Sequence, residues 1–295
     1  MKRFKALVAA AAVLFGFASA AQAQILYKVE KAGSDKVSYL LGTHHFAPLA
    51  VVDSIAELPE IMKSVDRLYG EIDMAAMKDP AAMMAYQSYL MAPADSTLDK
   101  VLTPEQLDAV RTVWNEYTGG AAPLEMMYMM KPSVISTQIA ALMAQKVFPE
   151  LNPLEGIDMT MQTRAAELGK PVGGLETMDF QMNMLYNRPI SEQAEGLVET
   201  VTDMADEEAK SIELSKAYLN HDINKILDLM LVMEDEDAGA AERMIYSRND
   251  NWVKQLSEEM PGESIMVVVG AGHLPGDRGV IAGLTKAGFT VTPIK

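Results

Sequence analysis

Short apolar runs alternate with long amphipathic stretches along this chain. The runs 25–29, 37–41, 67–72, 171–175, 265–269 and 289–293 have strand length, and several are apolar at successive positions, as strands covered on both faces are. Between them the hydrophobic spacing is helical. Thr103-Pro104-Glu105-Gln106 joins an N-cap, a proline at the first helical position and a capping-box glutamine, so it predicts a helix start. Leu168-Gly169-Lys170-Pro171 predicts a helix end, with glycine at the left-handed position and proline just beyond. Residues 191–260 read as almost wholly helical, acidic outside and apolar at helical spacing. The pattern predicts an α/β fold: a mixed sheet core from N- and C-terminal strands, with a long helical middle segment. No linker composition or fixed-period repeat interrupts residues 24–295, which predicts one domain there.

The first residues change the setting. Lys2, Arg3 and Lys5 precede an apolar stretch too short to span a bilayer, which needs about 20 residues, and Ala21-Gln22-Ala23 has the A-x-A form of a cleavage site. Residues 1–23 therefore predict a signal peptide, an exported protein that is periplasmic or secreted, a mature start at Gln24, and no stable membrane anchor after cleavage. Removing the three basic residues takes the formal charge from −16 to −19. Such acidity argues against nucleic acid or an anionic membrane as partner. The chain has no cysteine, which excludes disulfides, thiolate nucleophiles and cysteine-zinc sites. It has 23 methionines, with a cluster at Glu125-Met126-Met127-Tyr128-Met129-Met130. Thioethers bind Cu(I), but methionine is also a common filler of helical cores, and no compact M-x-M array is present.

Candidate chemistry begins at Gly42-Thr43-His44-His45. If the preceding strand continued through both histidines, they would face opposite sides. A second apolar run ends in Gly270-Ala271-Gly272-His273, and aligning the glycines matches His273 with His45 rather than His44. Strands of α/β proteins put ligands beyond their carboxyl ends, so two such turns can bring two imidazoles together. Glu71 ends a third run, in Arg67-Leu68-Tyr69-Gly70-Glu71-Ile72, where an unpaired carboxylate would be costly to bury. Two histidines and one glutamate form a common catalytic metal set, His45, Glu71 and His273. The carboxylate can equally orient an imidazole for metal-free base catalysis. His44 is expected to face away from the site and to be hydrogen-bonded in the structural layer. His221, in Leu219-Asn220-His221-Asp222, is expected at a helix C-terminus, where a cation is favoured.

Together, Tyr39-Leu40-Leu41-Gly42-Thr43-His44-His45, Tyr69-Gly70-Glu71-Ile72-Asp73 and Val268-Val269-Gly270-Ala271-Gly272-His273-Leu274 resemble the TraB/GumN family, to which the Tiki proteases are related. Gly156-Ile157-Asp158, the stretch from Leu168 to Thr177 with Gln181, and Arg248-Asn249 before Trp252 support the resemblance. It implies a mixed α/β fold related to erythromycin-esterase-like and ChaN-like proteins. It also implies a divalent-metal-dependent peptidase with His45, Glu71 and His273 at the metal or catalytic centre. Glu176 and Arg248 match further family positions. Glu176 follows a predicted strand and can serve as a general base, and Arg248 can hold a carboxylate bidentately; an ion pair between strand layer and helix accounts for both equally well.

Three functions follow as expectations. The first is an exported hydrolase acting on a peptide or small-molecule substrate with a divalent metal ion. The second is a non-catalytic binding protein for haem or metal on the same fold, as the ChaN-like relatives suggest, and the third is a methionine-rich copper handler.

Overall fold

The computed structural model describes residues 24–149, 156–236 and 238–294, so the signal-peptide expectation for residues 1–23 lies outside the described residues. All six strands expected from the apolar runs are present: β1 (Leu26–Lys31), β2 (Val37–Thr43), β3 (Arg67–Gly70), β4 (Val172–Gly174), β5 (Ile265–Gly270) and β6 (Phe289–Pro293). They form one mixed sheet in the order β4-β3-β5-β2-β1-β6. The four strands β4, β3, β5 and β2 run parallel, while β1 pairs antiparallel with both β2 and β6. Chain order differs sharply from sheet order. Strand β5, from the far end of the sequence, lies between β2 and β3. Its five buried residues Ile265 to Val269 explain the uninterrupted apolar run, because a central parallel strand is covered on both faces.

The register sets the working edge of the sheet. Thr43 of β2 lies beside Gly270 of β5, Gly70 of β3 beside Val268 of β5, and Gly70 beside Gly174 of β4. The carboxyl ends of β2, β3, β4 and β5 therefore come out together, and so do the residues that follow them. Glycine allows the close approach: a Cβ on Gly42 would lie 2.9 Å from Leu274 and 3.0 Å from Ala271, the turn leaving β5.

The sheet core contains Leu40, Leu41, Leu68 and Val267 together with Tyr218, Trp252 and Leu256 from the helices. A second buried cluster, including Leu98, Trp114, Leu124, Ile135, Ile139 and Leu197, belongs to the helical middle. There the helix Pro104–Thr118 starts in the capping box expected at Thr103 and Gln106. Gly169, after the helix Ile157–Glu167, takes the left-handed conformation expected of it, with φ of 73°. Residues 191–260 run through the helices Ile190–Thr202, Met204–Leu219, Ile223–Glu236 and Ser247–Glu259, with shorter helical pieces before the last. His221 lies in the turn between two of these, with φ of 54°. It follows the C-terminus of the helix Met204–Leu219, the position expected of it, and partial burial lowers its pKa. Met161 and Met266 fill the sheet core and Met143 the second cluster, whereas Met126 is exposed. Among the described residues no helix is long and apolar enough to cross a membrane.

Candidate active site

Strand β2 ends at Thr43, so both adjacent histidines lie in the turn beyond it. Their separation therefore comes from the turn and its packing, not from strand alternation. His44 turns inward: its Nδ1 accepts from the Phe46 N–H at 3.1 Å, and its ring packs against Tyr218. Burial pushes its pKa down to about 4, consistent with a neutral structural imidazole. The side chain of His45 is 57% exposed, and its Nδ1 lies 2.9 Å from Asp158 Oδ2. The Thr43 hydroxyl donates to the other oxygen of the same carboxylate at 2.9 Å. Asp158 sits in the first turn of the helix Ile157–Glu167, where the helix dipole favours a negative charge. Asp158 is the main cause of the rise in the His45 pKa to about 9. Because Asp158 engages Nδ1, the Nε2 atom of His45 is left facing the sheet edge, 3.9 Å from the point where a Cβ on Gly270 would stand.

Glu71 follows β3 directly and is buried. Its Oε1 accepts from the Gly270 N–H at 2.9 Å, and its Oε2 accepts from Gln181 at 3.0 Å and from Arg248 at 2.5 Å. Burial alone would raise this carboxyl, but the Arg248 guanidinium, the charged His45 and the Gly270 N–H oppose it and hold its pKa below the ordinary carboxylate value. Oε1 lies 3.3 Å from the same virtual Cβ of Gly270 that His45 Nε2 approaches. Gly270 is thus the floor of a small space walled by His45, Glu71 and His273, and any larger residue would fill it.

His273 is the opposite of His45. It is buried at 4% exposure against Trp252, with its two ring nitrogens held by consecutive residues of the helix Ser247–Glu259. The amide nitrogen of Asn249 donates to the carbonyls of His273 and Arg278, which orients its oxygen toward His273 Nδ1 at 2.7 Å. Nδ1 therefore carries the proton, and Nε2 accepts from Arg248 Nη1 at 3.0 Å. Burial pushes the His273 pKa down to about 3, so the ring is neutral. Glu176, two residues past β4, forms a bidentate pair with Arg248, at 3.0 Å to Nε and 2.8 Å to Nη2. Gln181 bridges Glu176 and Glu71. Burial raises the Glu176 pKa against the pull of Arg248.

The five residues singled out in the sequence, His45, Glu71, Glu176, Arg248 and His273, thus stand in one cluster at one end of the sheet. A family description covers the same ground: the TraB/PrgY/gumN family model matches residues 25–293. The chain belongs to the TraB/PrgY/gumN family. Two relatives carry the name Metalloprotease TIKI1. The protein from Xenopus tropicalis is 22% identical over 306 residues, covering 87% of this chain and 59% of its own length. The human protein is 23% identical over 307 residues, covering 87% of this chain and 60% of its own. The chain thus spans about three fifths of these relatives. No solved structure matches it.

The TIKI names imply a metal, and the donor set of this TraB/PrgY/gumN chain can be tested for one. Metal ligation by imidazole needs a free nitrogen lone pair. That of His273 Nε2 is taken up by a guanidinium, and Nδ1 is protonated. Both oxygens of Glu71 and both of Glu176 already accept hydrogen bonds. Among the described residues no group of three or more histidine, cysteine or acidic side chains is arranged to hold an ion. His45, Glu71 and His273 are neighbours, yet as they are bonded they do not fit a resident divalent metal.

Proposed function

We propose that the protein is an exported hydrolase that cleaves peptide bonds at the carboxyl ends of β2, β3 and β5. The observation that carries this reading is the convergence of His45 Nε2 and Glu71 Oε1 over Gly270, one on an exposed charged imidazole and the other on a buried carboxylate. Family membership and the protease names of the two relatives support the peptide substrate, and the leader-like residues 1–23 support export.

In this reading the substrate carbonyl lies over Gly270, with His45 on its solvent side. The His45 imidazolium donates its Nε2–H, first stabilising negative charge on the carbonyl oxygen and then protonating the departing amine. Glu71 Oε1, held by the Gly270 N–H, orients the attacking water and accepts its proton, which returns to His45 when the acid and amine products have formed. Asp158 holds the imidazole in its orientation through Nδ1. Arg248 has no N–H left to offer a substrate; it positions both glutamates and His273.

The test is mass-spectrometric detection of cleavage in an unbiased peptide library by the mature chain, His45→Ala and Glu71→Gln. Cleavage by the wild type and its loss in both variants is the expected result. Unchanged cleavage in both variants, or none by the wild type, would remove the proposal.

A further inference from the structure

The cluster already contains a cation, and its bonding is complete. A guanidinium has five N–H donors, and those of Arg248 all have acceptors: Glu176 Oε2 from Nε, Glu176 Oε1 and Glu71 Oε2 from Nη2, and the Met244 carbonyl and His273 Nε2 from Nη1. The side chain is 4% exposed, and so are its partners to within a few per cent. Its guanidinium carbon also lies over Trp252, 4.7 Å from the ring centroid. A guanidinium does not lose its proton in proteins, so this charge is permanent.

We propose that Arg248 takes the place of a divalent ion in this chain, so that its hydrolytic centre is metal-independent. The inference rests on the hydrolase reading above and concerns the cation that this site uses. A divalent ion bound by His273 must first take the Nε2 lone pair from Arg248, and would then share a buried space with a cation that cannot neutralise. Without His273, the remaining donors that face the space over Gly270 are His45 Nε2 and Glu71 Oε1, two ligands where a protein zinc site supplies at least three. What an ion would otherwise do is divided among fixed groups. Arg248 compensates the two buried carboxylates, and the imidazolium of His45 supplies positive charge toward the substrate.

The experiment uses the mature chain dialysed against a strong chelator. Elemental analysis gives its metal content, titration calorimetry its affinity for Zn2+ and for Mn2+, and the peptide assay its activity before and after chelation. The expected result is unchanged cleavage after chelation and no tight stoichiometric binding of either ion. In Arg248→Met the His273 lone pair and both glutamates are released, and Zn2+ affinity should rise by about tenfold or more. If that variant does not fold, Arg248→Met with Glu176→Gln removes the cation together with one carboxylate and is read in the same way. Cleavage lost on chelation and restored by one equivalent of metal would overturn the metal-free centre and leave the hydrolase reading intact. Absence of cleavage from treated and untreated chain alike would overturn the hydrolase reading itself; tight one-to-one metal binding by the wild type would in either case overturn the role of Arg248.

Discussion

The two turns Gly42-Thr43-His44-His45 and Gly270-Ala271-Gly272-His273 have the same spacing, leave adjacent parallel strands, and end in histidines of opposite character. His45 is open to solvent and held charged by Asp158; His273 is closed in against Trp252 and held neutral by Asn249 and Arg248. The difference comes from the helix that covers each turn. Over the first, Ile157–Glu167 presents one carboxylate near its N-terminus; over the second, Ser247–Glu259 presents an amide and a guanidinium side by side. Spacing along the strand delivers an imidazole to the sheet edge, and the covering helix decides its charge and its tautomer.

The largest effect should come from removing the exposed member of the pair. His45→Ala should lower kcat/KM for peptide cleavage by about 10²–10⁴-fold, the usual contribution of a general acid or base, in a chain that still folds, as circular dichroism would show. A large stability loss with retained turnover would reverse the roles of the two histidines. Asp158→Asn comes next. If the pKa of His45 falls from about 9 to the ordinary ~6.5, activity at pH 8 should drop about thirtyfold, and the alkaline limb of the pH profile should move to lower pH. A profile that does not move would show that Asp158 does not govern the imidazole. Asn249→Ala leaves buried His273 Nδ1–H without its acceptor, and chemical denaturation should report a loss of about 1–3 kcal/mol. The smallest effect belongs to His44→Gln, which loses the Phe46 N–H acceptor and packing on Tyr218. About 0.5–1.5 kcal/mol is expected in the same measurement, with peptide turnover preserved.

Much of this arrangement was legible in the residues. Apolar runs read as buried strands did form the six-stranded sheet, and glycines at their ends marked the turns that carry His45 and His273. Strand ends were less exact: β2 continues two residues past Leu41, and β3 stops two residues short of Ile72, because pairing with β5 rather than local hydrophobicity ends them. Aligning the two glycine turns picks out His45 rather than His44, whereas strand alternation plays no part in separating them, since neither belongs to the strand. What the sequence did not reveal is the set of orienting groups. Asp158, Gln181 and Asn249 lie in stretches that resemble the family, yet their partners are far along the chain and are met only through helix packing. The five-fold bonding of Arg248 was hidden in the same way, because its acceptors come from four separate elements.

The two histidines also oppose each other in their effect on stability with pH. The pKa of His45 is raised on folding, so its contribution is complete below about 6.5 and disappears as pH rises through about 9. The pKa of His273 is depressed, so its contribution is present above about 6.5 and is lost as pH falls from there toward about 3.

Only four histidines occur in the chain, which makes their individual titration by NMR of the ring carbons and nitrogens the most direct test. The account predicts that His45 titrates near 9, and that His273 remains the neutral Nδ1–H tautomer down to the pH at which the fold is lost. Two imidazoles that titrate together near the ordinary value of about 6.5, or a His273 ring found as the Nε2–H tautomer at neutral pH, would contradict it.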